Sequence, residues 1–535
     1  MLLLLQASTT ELFNVRDLQL IAPELILTAC ACAALIMEVI LPYRKSKWTA
    51  YFCLIGVALA VISLLTLFKG VSGTYLPWRV EGALPNLTGF YGTVRLDGFA
   101  FVFKLIFLLA AALAIAISTR FLDIEGEQHG EYYALILFAT VGMMFLGCGY
   151  DLIVLYISLE LMALSFYVLV AFTKRERRSN EAAMKYFLLG AFSSGILLYG
   201  MSLLYGVAGS TNLGDIARSI NAAMATAPQE AGVAATALPL RPLLLLGMIS
   251  LAAGLFFKIA AVPFHMWAPD AYEGAPTSVT AFLSTGSKAA SFALYARIFI
   301  EALGGMRVEW APLLGLVAAI TILVGNWAAI TQENSKRLLA YSSISNAGYL
   351  LLGLIAGNSY GYIGLVIYLL VYTLMNIGAF GVVISLRRRG IIGDHVDDMM
   401  GLAQKAPGMA IMMTIFMLSL GGLPATGGFI GKYFLFWGLL KRGDTEAKNW
   451  YYWLAVWAIL NTVVSFYYYV RFIRVMYLGD RMADERPLAL SPALRTALVI
   501  SVIGVIFIGI YPQPFIDVAQ KLITPLAAAG TIALR

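Results

Sequence analysis

The sequence has few charged residues for its length. Only 13% of its 535 residues are charged, whereas 60% are hydrophobic and the mean hydropathy is +0.82. A soluble domain of this size needs more polar surface than such a composition supplies. The composition therefore excludes a soluble protein and predicts an all-α polytopic membrane protein.

Cysteine and histidine are scarce as well. The chain has four cysteines and three histidines, and they form neither a CxxC pair nor a Cys/His cluster with zinc or iron–sulfur spacing. No strand pattern precedes a G-x-G-x-x-G run, so the sequence contains no typical nicotinamide or flavin site. We therefore predict that this chain itself binds no metal and no cofactor.

The positive charges are distributed as short clusters between apolar runs. The net charge is +7, but clusters in this position are orientation signals of membrane proteins rather than a nucleic-acid site. They are denser after the odd-numbered apolar runs. This pattern predicts no nucleic-acid partner, an N-terminus outside the cell and a cytoplasmic loop at Arg387, Arg388 and Arg389.

About fourteen apolar segments are long enough to cross a bilayer at roughly 1.5 Å per residue. The loops between them are short, apart from two turn-rich or small polar stretches at 70–96 and 210–239. The sequence therefore predicts a single membrane domain over residues 1–535. The segments are 18–41, 49–68, 98–119, 132–147, 152–173, 182–206, 240–262, 277–303, 312–331, 338–356, 361–386, 407–440, 450–476 and 494–511.

The seventh and twelfth segments are predicted to be interrupted helices. Pro263 breaks the seventh, and the run GGLPATGG, with Pro424, Gly427 and Gly428, breaks the twelfth. Backbone groups freed at membrane depth must face protein or water, which is typical of ion sites. The two interrupted helices are five spans apart and cross the membrane in opposite directions. This predicts an inverted five-helix repeat, with units at 132–303 and 312–476.

Six ionisable residues in or beside these spans are candidates for a proton relay. A charged side chain in hydrocarbon costs at least about 3 kcal/mol, so it is rarely kept without a use. A lysine withdrawn from water can gain and lose a proton near neutral pH, and imidazole titrates there without help. The candidates are Glu160, Lys185, Lys258, His265, Lys288 and Lys432.

Some cations also have structural interpretations. Lys185 can snorkel to the surface or pair with Glu181, four residues earlier, rather than control Glu160. Lys432 follows a glycine-rich run, but the spacing does not fit a phosphate-binding loop. Lys104, Arg297 and Arg471 lie nearer span ends and are predicted to snorkel or to be structural: they are left out of the relay.

Four runs of the sequence are similar to a known family. FFKIAAVPFHMWAPDAYEGAPTSVTAFLSTGSK, LELMALSFYVL, QENSKRLLAYSSISNAGYLL and GLPATGGFIGK resemble the antiporter-like proton-translocating subunits of respiratory complex I. Their order is most similar to that in the NADH-quinone oxidoreductase subunit N family, and the likeness extends over residues 18–511. At Asn346 the family often has a histidine, so we do not count this position as a relay member.

The resemblance implies a role for each candidate residue. Glu160 and Lys185 would form a controlling ion pair, and Lys432 would lie at the second broken helix. Lys258, His265 and Lys288 would form the central relay.

The resemblance also implies which complex and which membrane the chain belongs to. The chain would be one subunit of a translocase in the cell inner membrane that couples electron transfer from NADH to quinone to proton pumping. NADH, FMN, iron–sulfur clusters and quinone would bind to partner subunits. The partners would be other membrane subunits, including homologous antiporter-like ones, and the lipid bilayer.

Two other functions fit the same features. A subunit of a multi-subunit cation/proton antiporter or of a membrane-bound hydrogenase would share the buried lysines. A passive scaffold for lipid or quinone would not need them, and would tolerate their replacement by apolar residues.

Overall fold

The structure is a computed structural model that describes residues 15–40, 47–75, 86–127, 129–225, 240–387, 394–479 and 490–532. Twelve helices in these ranges are long and apolar enough to cross a membrane. This confirms the predicted all-α polytopic architecture. The other two predicted spans, 277–303 and 407–440, are each divided into separate helical pieces, and the total number of crossings stays a prediction.

The N-terminal part contains three long helices and a small hairpin. Strands β1 and β2 pair antiparallel just before α4. This hairpin was not predicted, because strands of three residues are too short to show an alternating pattern. The elements are α1 Val15–Leu20, α2 Ala22–Ile40, α3 Lys47–Ser72, β1 Leu87–Gly89, β2 Val94–Leu96 and α4 Gly98–Glu125.

The next five predicted spans make up the first predicted five-helix unit, 132–303. Here α8 is an additional amphipathic helix within the stretch predicted as a loop, and π-helical turns at Leu283–Ser287 and Ala296–Ala302 flank α12. The elements are α5 Gly130–Cys148, α6 Leu152–Val170, α7 Arg177–Ala208, α8 Leu213–Ala225, α9 Leu240–Ile259, α10 Trp267–Gly274, α11 Thr277–Phe282 and α12 Lys288–Tyr295.

The second unit and two further helices complete the described chain. The last helix, α21, was not predicted, because polar residues such as Asp517 and Lys521 interrupt its apolar run. It packs against α4 and α15. The elements are α13 Arg307–Ile330, α14 Ser335–Ala356, α15 Ser359–Leu386, α16 Leu402–Lys405, α17 Pro407–Gly421, α18 Gly427–Glu446, α19 Trp450–Leu478, α20 Pro492–Ile510 and α21 Gln513–Ile532.

The first helix break lies between α9 and α10, around Pro263. Ala260 has a positive φ of 56°, and the chain leaves the helix there. The Trp267 side chain donates from Nε1 to the Phe257 carbonyl over 2.9 Å, and the Val262 amide donates to Thr321 Oγ1 over 3.0 Å. Polar groups freed by the break are therefore satisfied by neighbouring residues, as burial requires.

The second break lies between α17 and α18 and includes Pro424. Gly422 ends α17 with a φ of 82°. Gly427 and Gly428, predicted as part of this break, form the first turn of α18 instead. Close packing explains them, because a Cβ on Gly428 would lie 1.9 Å from the Ser419 carbonyl oxygen.

The two five-helix units pack in the same order. In each unit the first helix packs along the second, as α5 does on α6 and α13 on α14. The third packs along the fourth, as α7 does on α9 and α15 on α18. Both breaks fall in the fourth member, with Lys258 before the first break and Lys432 after the second, and the inverted repeat itself stays a prediction.

Candidate functional site

Glu160 lies in the middle of α6, on a face that the chain itself leaves uncovered. Ile157 and Leu164, one turn away on either side, are 61% and 53% exposed, whereas Glu160 is half-buried. Its Oε1 atom is buried and has no hydrogen-bond partner among the described residues. The carboxylate lies within electrostatic reach of Lys258.

Lys185 belongs to an ion-pair network at the N-terminal end of α7. Its Nζ atom lies 2.9 Å from Glu181 and 2.9 Å from Asp270, which also pairs with Arg337. The pair with Glu181 has the predicted four-residue spacing. No contact between Lys185 and Glu160 occurs among the described residues, so control of that carboxylate by Lys185 stays a prediction.

The Lys185 network lines a polar cavity of about 240 Å³ between α7, α10 and α14. Asp270 and Glu273 contribute from α10, the helix that follows the first break, and Arg337 contributes from α14. The network therefore ties the second half of the broken helix to both units of the chain.

Lys258 occupies the last turn of α9, directly before the first break. Its side chain is buried, and Nζ donates to Ser194 Oγ on α7 over 3.2 Å. His265 lies within the break beside the exposed Met266, and its Nδ1 atom has no hydrogen-bond partner in the described part of the chain. No described hydrogen bond joins His265 to Lys258, so its relay role stays a prediction.

Lys288 begins α12, directly after a π-helical turn. Its side chain is 2% exposed. Nζ donates to the carbonyl oxygen and to the Oγ of Ser343 on α14, and it lies 5.7 Å from the centre of the Tyr372 ring. Within the described ranges, no carboxylate lies near enough to pair with it.

Lys432 lies in the second turn of α18, directly after the second break. Its side chain is 3% exposed, and Nζ donates to the Leu420 carbonyl over 2.9 Å and lies 4.7 Å from the centre of the Tyr349 ring. Leu420 is in the last turn of α17, where carbonyls lack helical donors and the helix dipole favours a cation. The break thus leaves the Leu420 carbonyl oxygen free to accept the hydrogen bond from Lys432.

These three lysines share one arrangement. Lys258, Lys288 and Lys432 are buried, and their hydrogen-bond partners are neutral oxygens. An ammonium group without a counter-charge is costly in a medium of low dielectric constant, whereas a neutral amine is not. Burial beside neutral oxygens is a physical condition for proton uptake and release, and the relay role of the three lysines stays a prediction.

Two of the cations that were predicted to snorkel or to be structural are fully buried in ion pairs, which fits the structural alternative. Lys104 on α4 lies 2.6 Å from Glu24 on α2, and Arg297 contacts Asp97 at 2.8 Å and Glu301 at 2.6 Å. Snorkelling is therefore wrong for both. Neither belongs to the lysine set, because each has its own carboxylate.

The oxygen partners of the lysines were not predicted from the sequence. Ser194 and Ser343 each lie in a short run that is rich in hydroxyl residues inside an apolar span, at 193–194 and 342–345. Such a run is the feature of the sequence that could have indicated a polar partner for a buried lysine. The Leu420 carbonyl belongs to the backbone, so no side chain in the sequence could have indicated it. In the described ranges, no group of three or more His, Cys, Asp or Glu residues is placed to hold a metal ion.

Comparisons with known proteins bear on this arrangement. Residues 149–462 match the family model described as NADH:quinone oxidoreductase/Mrp antiporter, TM. The chain is 50% identical to "NADH-quinone oxidoreductase subunit N 2" of Solibacter usitatus (strain Ellin6076), over 95% of this chain and 98% of that protein.

Two solved structures are similar over nearly the whole chain. One is a chain of respiratory complex I from Thermus thermophilus with bound Aureothin, with a TM-score of 0.72, 32% identity, and coverage of 95% of this chain and 99% of that one. The other is a chain of the Mrp complex from Dietzia sp. DQ12-45-1b, with a TM-score of 0.76, 19% identity, and coverage of 97% and 100%. At this identity the second match shows the fold alone.

Proposed function

Because this chain belongs to the NADH-quinone oxidoreductase subunit N family, we propose that it is a proton-translocating membrane subunit of such an oxidoreductase. Electrons would pass from NADH to quinone on partner subunits that carry FMN and iron–sulfur clusters. This chain would supply the membrane path for protons.

The observation that carries the proposal is the surroundings of Lys288. It is buried in the middle of the chain, and its hydrogen bonds go to the neutral oxygens of Ser343. A lysine kept only for stability would pair with a carboxylate or be replaced by an apolar residue of similar volume. A site that must alternate between charged and neutral forms needs neutral partners.

The proposed path begins at the first break and ends at the second. Glu160 would act on Lys258 through its negative charge. Lys258 and His265 would pass protons to Lys288, and Lys432 would release them beyond the second break. Lys185 would influence Glu160 from the neighbouring helix through its fixed charge.

The exposed face of α6 is a surface that a partner subunit would cover. Ile153, Ile157, Leu164 and Val168 form an apolar stripe around Glu160 on this face. Glu160 is only half-buried, and a carboxylate exposed to lipid is costly, so a neighbouring membrane subunit would cover this face. We therefore place another membrane subunit of the complex against α6.

The units at 132–303 and 312–476 would be related as an inverted repeat. Their matching helix order and matching breaks support this relation. The N-terminus would face the outside of an inner membrane. The loop that contains Arg388 and Arg389 would be cytoplasmic, and these two residues lie outside the described ranges.

A cation/proton antiporter subunit is the second candidate, since the Mrp structure shares the fold. Purification of the native assembly would separate the two. An oxidoreductase subunit should co-purify with NADH-oxidising subunits, and the reconstituted assembly should acidify vesicles only when NADH and a quinone are added. Sodium-driven proton exchange without NADH would indicate the antiporter instead.

Alanine variants test the relay itself. Lys258→Ala, Lys288→Ala and Lys432→Ala should assemble and lose most NADH-driven pumping, because alanine fits the helices and removes the site that accepts a proton. Lys441→Ala is the matched control, since Lys441 is exposed and pairs with Asp444. Normal pumping by all three buried variants would refute the proposal.

A further inference from the structure

Lys336 is a buried cation that the proposed path does not use. It lies in the first turn of α14, and its side chain is 2% exposed. Its Nζ atom donates to the carbonyl oxygen of Glu273 over 2.6 Å and to that of Ala275 over 2.8 Å. Both carbonyls lie at the junction where α10 ends and α11 begins, and Pro276 in this junction has no N–H. Lys336 therefore closes the end of the second half of the broken helix.

The next residue of α14, Arg337, holds α10 through its acidic side chains. Its Nη1 atom lies 3.1 Å from Asp270 and 2.9 Å from Glu273. Cations near the C-terminal end of a helix also complement the helix dipole. The helix α10 is thus attached to α14 through both its backbone and its side chains.

The partner of Lys288 lies on the same face of α14 as Lys336. Lys336 and Ser343 are seven residues apart in the sequence, which is nearly two helical turns or about 10 Å along the axis. Ser343 accepts the hydrogen bonds of Lys288. The chain from Ala275 to Lys288 is therefore attached to one face of α14 at both of its ends.

The helix between these two attachments is irregular. After α11, a π-helical turn at Leu283–Ser287 leads directly into Lys288. Such turns interrupt the regular α-helical hydrogen bonding and are frequent at functional sites. A regular helix would hold Lys288 rigidly relative to Pro276. Here the position of Lys288 depends instead on where the two ends are held.

We propose that Lys336 is a positioning residue for Lys288. By holding the junction between α10 and α11 against α14, it places the Lys288 ammonium group at Ser343. The inference rests on the proposed function, in which Lys288 accepts and releases a proton, and it adds no step to the proposed path. It assigns a second role to α14, which supplies the partner of Lys288 and also fixes the chain that carries it.

An ion pair does not account for the position of Lys336. The Oδ2 atom of Asp394 lies 3.9 Å from Lys336 Nζ, which is beyond hydrogen-bonding distance. The two hydrogen bonds to the junction are shorter, so the backbone of the junction determines where this ammonium group lies. Lys336 also lines a polar cavity of about 240 Å³, and the other charged residues around this cavity are Glu176, Arg177, Arg178, Glu273, Arg387 and Asp394.

The test uses Lys336→Met in the complete oxidoreductase, reconstituted in vesicles. Methionine is of similar length but donates no hydrogen bond, so NADH-driven pumping per assembled complex should fall at least about fivefold, because a misplaced reacting group loses rate steeply. The pH dependence of pumping should shift by at least about 0.5 pH unit, since its surroundings decide how firmly Lys288 binds a proton. A lysine needed only for stability would change the amount of complex and neither of these quantities.

Arg471→Met is the matched control. Arg471 on α19 donates to the carbonyl oxygens of Ile330 and Gln332 at the end of α13, over 3.0 and 3.4 Å. This contact is of the same kind as that of Lys336, but it lies at another helix end. The control should pump like the wild type per assembled complex, with the wild-type pH dependence. An equal loss in both variants would attribute the defect to helix capping in general and overturn the positioning role.

Two milder variants keep the test decisive if Lys336→Met does not assemble. Lys336→Arg can still donate to both carbonyls, whereas the side chain of Lys336→Gln is one bond shorter and uncharged. We expect the arginine variant to pump at least about twice as fast per complex as the glutamine variant. Equal pumping with equal pH dependence would overturn the proposal.

Lys288→Ala is measured alongside, because it separates this inference from the proposed function. If Lys288→Ala stops pumping but Lys336→Met keeps the wild-type rate or the wild-type pH dependence, the positioning role is refuted and the proposed function stands. If Lys288→Ala pumps normally, the proposed function fails and the positioning role fails with it.

Discussion

Lys104 and Lys288 are both almost fully buried lysines of membrane helices, but their surroundings differ. Lys104 lies 2.6 Å from the carboxylate of Glu24, in the N-terminal helices outside the two five-helix units. Lys288 contacts the neutral oxygens of Ser343 inside the first unit. Equal burial therefore does not imply an equal role, because the counter-charge decides whether the proton is held or can leave.

Arg297 is a second buried cation that is paired with carboxylates. Arg297 bonds to both Asp97 and Glu301, and it also donates to the Gly147 carbonyl at the end of α5. Arg95 of the hairpin pairs with the same two acids. This closed set of charges joins the hairpin, α4, α5 and the π-helical turn after α12. These ion pairs thus hold together the elements that surround the lysines with neutral hydrogen-bond partners.

The largest effect is expected from breaking the buried pair. Lys104→Met leaves the Glu24 carboxylate without its partner and should cost about 3–5 kcal/mol of stability, seen as less assembled complex and a lower thermal transition. Lys104→Met/Glu24→Leu removes both charges and should recover most of the loss. A double variant as unstable as the single one would show that the pair is not the cause.

The next effect comes from giving Lys288 a counter-charge. Ser343→Asp places a carboxylate where the neutral hydroxyl stands, so Lys288 should hold its proton and pumping should fall about tenfold or more, equivalent to roughly 1.4 kcal/mol. Ser343→Asn is the control of similar size and should pump several times better. Equal loss in both variants would attribute the defect to packing.

The smallest effect is expected at the exposed network of Lys185. Its side chain is 46% exposed and pairs with Glu181 and Asp270. Lys185→Arg keeps the charge and should pump within about twofold of the wild type, since exposed ion pairs contribute little. Lys185→Ala should be clearly worse if this charge influences Glu160. Equal damage by Arg and Ala would mean that Lys185 itself must titrate.

The membrane spans and breaks could be predicted because they depend on local sequence. Apolar runs gave the long helices, and Pro263 and Pro424 lie in the two breaks. The hairpin, α8 and α21 were missed, since each is short or has polar residues along one side. Gly427 and Gly428 were misplaced because a glycine required for close packing looks the same in sequence as one that ends a helix.

The candidate site was predictable in its lysines and not in their partners. The depth of Lys258, Lys288 and Lys432 within apolar runs already indicated burial. The pairing of Lys104 with Glu24 was hidden, because α2 and α4 meet only through tertiary packing. The same limit hid Ser194 and Ser343, whose hydroxyl groups face lysines on other helices.

The most direct measurement compares two apolar replacements in reconstituted vesicles. One is Lys288→Met, and the other is the neutralised pair Lys104→Met/Glu24→Leu, each measured for NADH-driven proton pumping at matched assembly. We expect the neutralised pair to pump close to the wild-type rate, whereas Lys288→Met should pump hardly at all. Normal pumping by Lys288→Met, or loss of pumping in an assembled complex with the neutralised pair, would contradict the claim that the lysines without counter-charges are the transfer sites.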